Sequence, residues 1–204
     1  MSRKLIYPIL LAVAVGTVAV QAEDLEWIRA VYWDARYRTN WASAADSVAV
    51  RDACVAAGYE VLNADQLKTW MDARIADRAM SVVVFARDNA PDTVVETLDA
   101  NCTLRKYLNA GGKIVYYSDI PFWDIAHADG TWDNPQTAGA NAILGFNTDI
   151  AVWDTNQQVT ITAAGKKWGL TQGWASVRPI ASSGADVVLA TDNAGNACAW
   201  VKHY

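Results

Sequence analysis

Residues able to do chemistry collect, in this 204-residue chain, directly behind short apolar runs. Asp34, Arg36 and Arg38 follow "EWIRAVYW" (26–33), and Asp65 follows "YEVLNA" (59–64). Arg87, Asp88 and Asn89 follow "MSVVVFA" (80–86), while Ser118, Asp119, Trp123 and Asp124 follow "KIVYY" (113–117). If these runs are strands of an open α/β sheet, their exits are where such sheets bind ligands.

Three chemistries fit those residue types. Ser118 as a nucleophile would take His127 as base and Asp34 or Asp119 as the orienting acid. The strained G-x-S-x-G turn that exposes such a serine is missing, and His127 and His203 are the only histidines. Asp34 and Asp119 as paired carboxylates would suit glycoside cleavage, which depends on a separation that chain position does not fix. A polar ring flanked by Trp33, Trp41, Trp123 and Trp132 would instead hold a sugar, flat rings on its C–H faces and Asp, Asn and Arg on its hydroxyls. The plain alternative is that Arg36, Arg38 and Arg87 only neutralise neighbouring Asp residues. The expected ligand-binding set is Asp34, Arg36, Arg87, Asp88, Asp119 and Trp123, and the catalytic candidates are Ser118, Asp119 and His127. "DGTWDN" (129–134) lacks the twelve-residue pattern of a calcium loop, and no motif calls for a metal or a cofactor.

The elements that would position these groups alternate. Residues 43–57 carry Val48, Val50, Ala53, Cys54 and Ala57 at helical spacing, with Gly58 as the stop. Asp65 is expected to cap a second helix with Leu67, Trp70, Met71 and Ile75 on its inner face. Pro91 is expected to open a third, through Val94, Val95, Leu98, Cys102, Leu104, Tyr107 and Leu108, closed by Gly111 and Gly112. Strand–helix alternation with short links predicts a mostly parallel sheet covered on both faces. Residues 124–141 show no periodicity and read as a long loop. Short strands are then expected at 150–154, 158–162, 187–191 and 197–204, with a hairpin turn at "DNAG".

Composition narrows the setting. Residues 5–20 form an apolar run behind Arg3 and Lys4, ending in Val20-Gln21-Ala22, the pattern of a cleaved signal peptide spanning 1–22. Secretion or a periplasmic location follows as the expectation, with 23–204 as one domain and no membrane contact after cleavage. Losing Arg3 and Lys4 moves the formal charge from −5 to −7, which argues against nucleic acid. Cys54, Cys102 and Cys198 are an odd number without a C-x-x-C, so a His/Cys zinc site is not expected. Ten tryptophans are an unusual load: most are expected in the core, with some facing a ligand or partner.

The phrases "LRKYLNAGGKIV" (104–115), "YSD" (117–119) and "VLATDNAGNACAWVKHY" (188–204) together resemble the class I glutamine-amidotransferase-like superfamily. The similarity is greatest to its trehalose-utilisation-protein-like and β-galactosidase-trimerisation-like domains. The resemblance implies a flavodoxin-like three-layer sandwich with a β-rich C-terminal portion. It also implies either a sugar-active role or an assembly role through a sheet edge. Active relatives carry Cys in a tight G-x-C-x-G turn, and Ser118-Asp119-Ile120-Pro121 replaces it here. The relatives add a closing strand beyond the point matching Tyr204, leaving a C-terminal edge for a second copy or a partner chain. The expected function is an exported, non-catalytic module that binds a carbohydrate or a protein. The alternative is a sugar hydrolase using Asp34, Asp119 and His127.

Overall fold

The computed structural model describes residues 26–116, 120–153 and 156–204. The expected signal segment and two site candidates, Ser118 and Asp119, lie outside the described residues.

Alternation of apolar strands and helices builds the first half. The elements are β1 (Ile28–Tyr32), α1 (Ala44–Ala56), β2 (Glu60–Leu62), α2 (Ala64–Asp77), β3 (Ser81–Phe85), β4 (Ala90–Pro91), α3 (Thr103–Asn109) and β5 (Lys113–Tyr116). Four of these strands form one parallel sheet in the order β2-β1-β3-β5. Strand geometry sends alternate side chains to opposite faces. Ala30, Tyr32, Val83 and Phe85 meet Leu67, Trp70 and Met71 of α2 and Leu104, Tyr107 and Leu108 of α3. On the other face Val31, Val84 and Ala86 meet Val50 and Cys54 of α1. β1 and β3 are therefore buried on both sides, as continuous apolar runs predict. β5 is an edge strand instead, with Val115 50% exposed.

Local chemistry sets the helix starts. Ser43 caps α1 by accepting the Asp46 N–H at 3.0 Å, and Gly58 leaves the helix at φ 81°. α2 is capped by Asn63, not by Asp65. Asn63 Oδ1 accepts the Gln66 N–H at 2.9 Å and Gln66 Oε1 accepts the Asn63 N–H at 3.0 Å, a reciprocal capping box. Asp65 falls in the first turn and pairs with Arg36 at 2.8 Å.

The helix expected from Pro91 to Gly111 is confined to α3. Pro91 is held extended in β4, which pairs in parallel with β6 (Ile125–Ala126). Turns follow, and the Glu96 carboxylate restarts the helix by accepting the Thr103 N–H at 2.9 Å and its hydroxyl at 2.6 Å. Val94, Val95 and Cys102 are still buried, whereas Leu98 is 46% exposed. The apolar pattern marked the core correctly and the wrong backbone.

The stretch 124–141 is not a structureless loop. It holds β6, β7 (Trp132–Asp133) and the start of α4 (Gln136–Leu144), with β6 and β7 paired antiparallel. Two-residue strands have no periodicity to detect. Beyond α4 come β8 (Gln157–Gln158), β9 (Thr160–Ile161), α5 (Ala163–Lys167), β10 (Ala175–Ser176), β11 (Val187–Thr191) and β12 (Ala197–Val201). β12-β11-β9 is an antiparallel sheet, and β8 pairs with β10. The Asp192 carboxylate closes the β11–β12 turn by accepting the N–H groups of Ala194 at 2.9 Å and Asn196 at 2.8 Å. The strand expected at 150–154 is absent from its described part: Ile150 makes a single bridge to Ile180, and bends follow. The whole is a mixed α/β protein, one parallel sheet with smaller sheets added. Among the described tryptophans only Trp70 is buried, so the expectation of a Trp-rich core is overturned.

Candidate functional site

The chain runs from β1 to β2 on one side, then crosses to β3 on the other side of β1. The C-terminal ends of β1 and β3 thus flank a topological switch point, where open α/β sheets form their crevice. Here residues 34–42 lie as a strap across it, fastened by three buried carboxylates.

Asp34, 5% exposed, takes the Arg36 guanidinium at 2.7 Å, the Arg36 N–H at 3.0 Å and the Ala64 N–H at 3.1 Å. Burial alone would raise the pKa of this carboxyl. The hydrogen bonds from Arg36 and the Ala64 N–H outweigh it and hold the group below its usual range. Asp88, 2% exposed, accepts three successive N–H groups of the strap, from Asn40 at 3.0 Å, from Trp41, and from Ala42 at 2.8 Å. Asp124, also 2% exposed, accepts the side-chain amides of Asn40 and Asn134, both at 2.5 Å. Asn89 Nδ2 donates to the Arg38 carbonyl at 3.3 Å.

The fastened strap carries Trp41 to the surface, where other rings stand around it. Trp41 and Trp153 are each 55% exposed, and the Arg178 guanidinium lies 5.0 Å from the first ring centre and 5.3 Å from the second. Trp123 packs edge-on against Trp153 at 5.8 Å. Arg38 stacks 3.8 Å over Trp132, itself 42% exposed. The chemistry of this rim is that of flat apolar faces set among guanidinium groups.

A second cluster sits beside it. His127 Nδ1 is 2.7 Å from Asp92 Oδ2, and Nε2 is 3.2 Å from Asp133 Oδ2. The buried Tyr37 donates to Asp92 Oδ1 at 3.0 Å. His127, Asp92 and Asp133 border a cleft of about 210 Å³ walled by Val95, Leu98, Ile125 and Glu96. Asp92 raises the His127 pKa above its ordinary value; partial burial opposes and Asp133 adds to the rise.

Of the expected residues, Asp34 and Arg36 come together, Asp88 fastens the strap, and Arg87 is buried 4.9 Å from the Trp33 ring centre. Trp123 joins the rim through Trp153. Among the described residues His127 bonds to neither Asp34 nor a serine; its nitrogens face Asp92 and Asp133. Arg178, Trp153 and Asp92 stand outside the expected site, and Asp133 entered only as part of "DGTWDN"; none of them follows one of the apolar runs that marked the strand exits. All three cysteines are free thiols whose pKa burial raises, which makes them poor nucleophiles. Among the described residues no His/Cys/Asp/Glu group is arranged to hold a metal ion.

Parallel sheet, crossing point and fastened strap define an α/β protein whose strand exits are roofed and edged with tryptophan. The model of the MJECL34 family matches residues 28–204, and the chain belongs to that family. It is 28% identical over 186 residues to the uncharacterized protein MJECL34 of Methanocaldococcus jannaschii. That alignment covers 85% of this chain and 62% of the relative, so the chain spans less than two-thirds of the relative's length. No solved structure matches it.

Proposed function

We propose that this chain is an exported, non-catalytic binding module with a flavodoxin-like sandwich, and that its ligand is a carbohydrate held on the tryptophan rim. The strand order β2-β1-β3-β5, with α1 on one face and α2 and α3 on the other, supports the flavodoxin-like arrangement and the amidotransferase-like kinship. The observation that carries the ligand class is the pair of half-exposed rings, Trp41 and Trp153, that share the Arg178 guanidinium. Two exposed indoles are costly to leave in water, and with a guanidinium beside both they match the alternating C–H and O–H faces of a sugar.

The hydrolase alternative uses Asp34, Asp119 and His127 and needs Asp119 and His127 in one cleft; Asp119 lies outside the described residues. Asp34 is committed to Arg36, and His127 to Asp92 and Asp133, which supports binding over hydrolysis. Assembly through the C-terminal edge belongs to the same proposal, because β12 ends its sheet and only its first residue, Ala197, is bridged outward, to Ile180.

The test is a fluorescence titration with a panel of neutral oligosaccharides. Saturable quenching is expected, abolished in Trp41→Ala and Trp153→Ala and retained in Asp34→Asn. A flat titration across the panel refutes the carbohydrate reading, and the solution mass of the same sample decides whether the edge pairs with a second copy.

A further inference from the structure

Three consecutive residues tie the β6–β7 hairpin to the rest of the site. Trp132 lies against the Arg38 guanidinium of the strap at 3.8 Å. Asn134 donates to Asp124, the carboxylate that also takes the Asn40 side chain of the strap. Asp133, between them, turns the other way and faces His127 Nε2 at 3.2 Å, as alternation along an extended chain dictates. The backbone does little of this holding. β6 and β7 are two residues each, and β6 joins β4 over two residues only. Ladders this short are marginal by themselves, so side-chain contacts decide whether the hairpin stays down.

The contact at His127 is the one that depends on a proton. Its ring stands between two carboxylates, Asp92 beyond β4 at 2.7 Å and Asp133 in β7 at 3.2 Å. The charged ring has an N–H for each. The neutral ring has one N–H for the two, so one carboxylate then meets a lone pair. Asp92 is anchored, since Tyr37 donates to its other oxygen at 3.0 Å. Asp133 is 73% exposed and, among the described residues, its carboxylate has no second partner, so it is the one free to turn into water. The other charges near the ring do not replace that bond. Asp129, in the hairpin turn, is a third acid, and its carboxylate takes the Thr131 N–H and hydroxyl. Glu96, which also lines the cleft, is bonded to Thr103 and paired with Lys68 at 3.5 Å.

We infer that His127 is a proton-operated latch on the strap: charged, it fastens the hairpin that holds residues 38–40, and neutral, it releases Asp133 and lets Trp132 and Asn134 loosen that hold. The raised His127 pKa sets the direction, since the fastening is complete below the ordinary value and is lost as pH rises through the folded-state one. Trp132 and the strap residue Trp41 belong to the tryptophan rim, so the rim is firmer in mild acid than in alkali. Only that last consequence rests on the carbohydrate reading.

The experiment is hydrogen exchange by NMR on the full chain without ligand, from about pH 5.5 to about pH 9. Exchange is expressed as protection relative to unstructured peptide, which removes the trivial effect of pH. The amides read are His127, bonded to the Thr131 carbonyl in the hairpin, and Asn40 and Ala42, bonded to Asp88 in the strap. Their protection is expected to fall about threefold as pH rises through the His127 midpoint, which the imidazole proton shifts give in the same sample. Asp133→Asn changes an exposed side chain whose amide accepts from the charged ring and donates to the neutral one. It should remove the step while His127 still titrates against Asp92. His203→Gln should leave the step unchanged, since His203 faces Asp186 at 3.7 Å. Protection that stays flat across the His127 midpoint, a step that survives Asp133→Asn, or one that disappears with His203→Gln overturns the latch. A flat sugar titration beside a clear step supports the latch and removes only the carbohydrate reading.

Discussion

Asp92 and His127 stand side by side because β4 and β6 run parallel in register, each residue being the first beyond its strand; the Asp92 N–H bonds to the Ala126 carbonyl at 3.0 Å, and the carboxylate meets the imidazole at 2.7 Å. Tyr37 fixes the other Asp92 oxygen, and Asp133 faces Nε2 at 3.2 Å, so a carboxylate stands at each nitrogen of the ring. The partnership raises the His127 pKa above 6.5. A raised folded-state value stabilises fully below the unfolded pKa and loses that contribution as pH rises through the folded one. Stability should therefore fall as pH rises from about 6.5 through the raised folded-state value. With only two histidines in the chain, proton NMR reads the titration directly. Asp92→Asn should return His127 toward 6.5 and flatten that part of the stability profile; a wild-type value at or below 6.5 refutes the ion pair.

The strap should depend on Asp88 more than on any other single side chain. Three N–H groups converge on one buried carboxylate, and charge-assisted bonds of this kind are the strong ones. Asp88→Ala is expected to cost about 3 kcal/mol in urea unfolding. Hydrogen exchange at Asn40, Trp41 and Ala42 should accelerate with it. Unchanged protection at those amides would mean that the carboxylate is not what holds the strap down.

The start of α2 separates two residues that propensity treats alike. Asn63→Ala removes the side-chain half of the capping box, leaving the bond from the residue-63 N–H to Gln66 Oε1, and should cost about 1 kcal/mol. Asp65→Ala loses a bond to a half-exposed Arg36 and should stay within about 0.5 kcal/mol of wild type. Thermal unfolding of the two variants checks the order, and a larger loss at Asp65 would move the cap there.

The contrast shows what was legible in the chain. The apolar runs that became β1 and β3, and the helix α1 closed by Gly58, follow from periodicity and stop signals alone. The cap of α2 was legible too, since Gln66 stands three residues after Asn63, but Asp65 is an equally good cap by type. The turn region after Pro91 misled because its buried residues recur at near-helical spacing while the β4–β6 pairing holds the backbone extended. In the site, the strand exits were visible as places. The partnerships of His127 with Asp92 and Asp133, and of Arg178 with Trp41 and Trp153, are made by register and by residues far apart in sequence, which no local pattern encodes.

Gly111 and Gly112 look like one signal and do two jobs. Gly111 has φ 97° with open space around it, so a side chain there meets only backbone strain. Gly112 is different, since a Cβ built on it would lie 2.2 Å from Cε2 and Cζ of Tyr107. That ring cannot yield: it is fully buried, and its hydroxyl is bonded to Ser81 at 3.1 Å and to the Lys113 carbonyl at 3.3 Å. Gly111→Ala should cost about 1 kcal/mol from the left-handed backbone, and Gly112→Ala about 3 kcal/mol from overpacking. The mechanism is separable by a double-mutant cycle. Tyr107→Ala empties the space that the Gly112 methyl would invade, so the two substitutions together should cost less than their sum by about 2 kcal/mol. Tyr107→Ala and Gly111→Ala should simply add. Additive losses in both pairs would show that close packing against Tyr107 is not why glycine stands at 112.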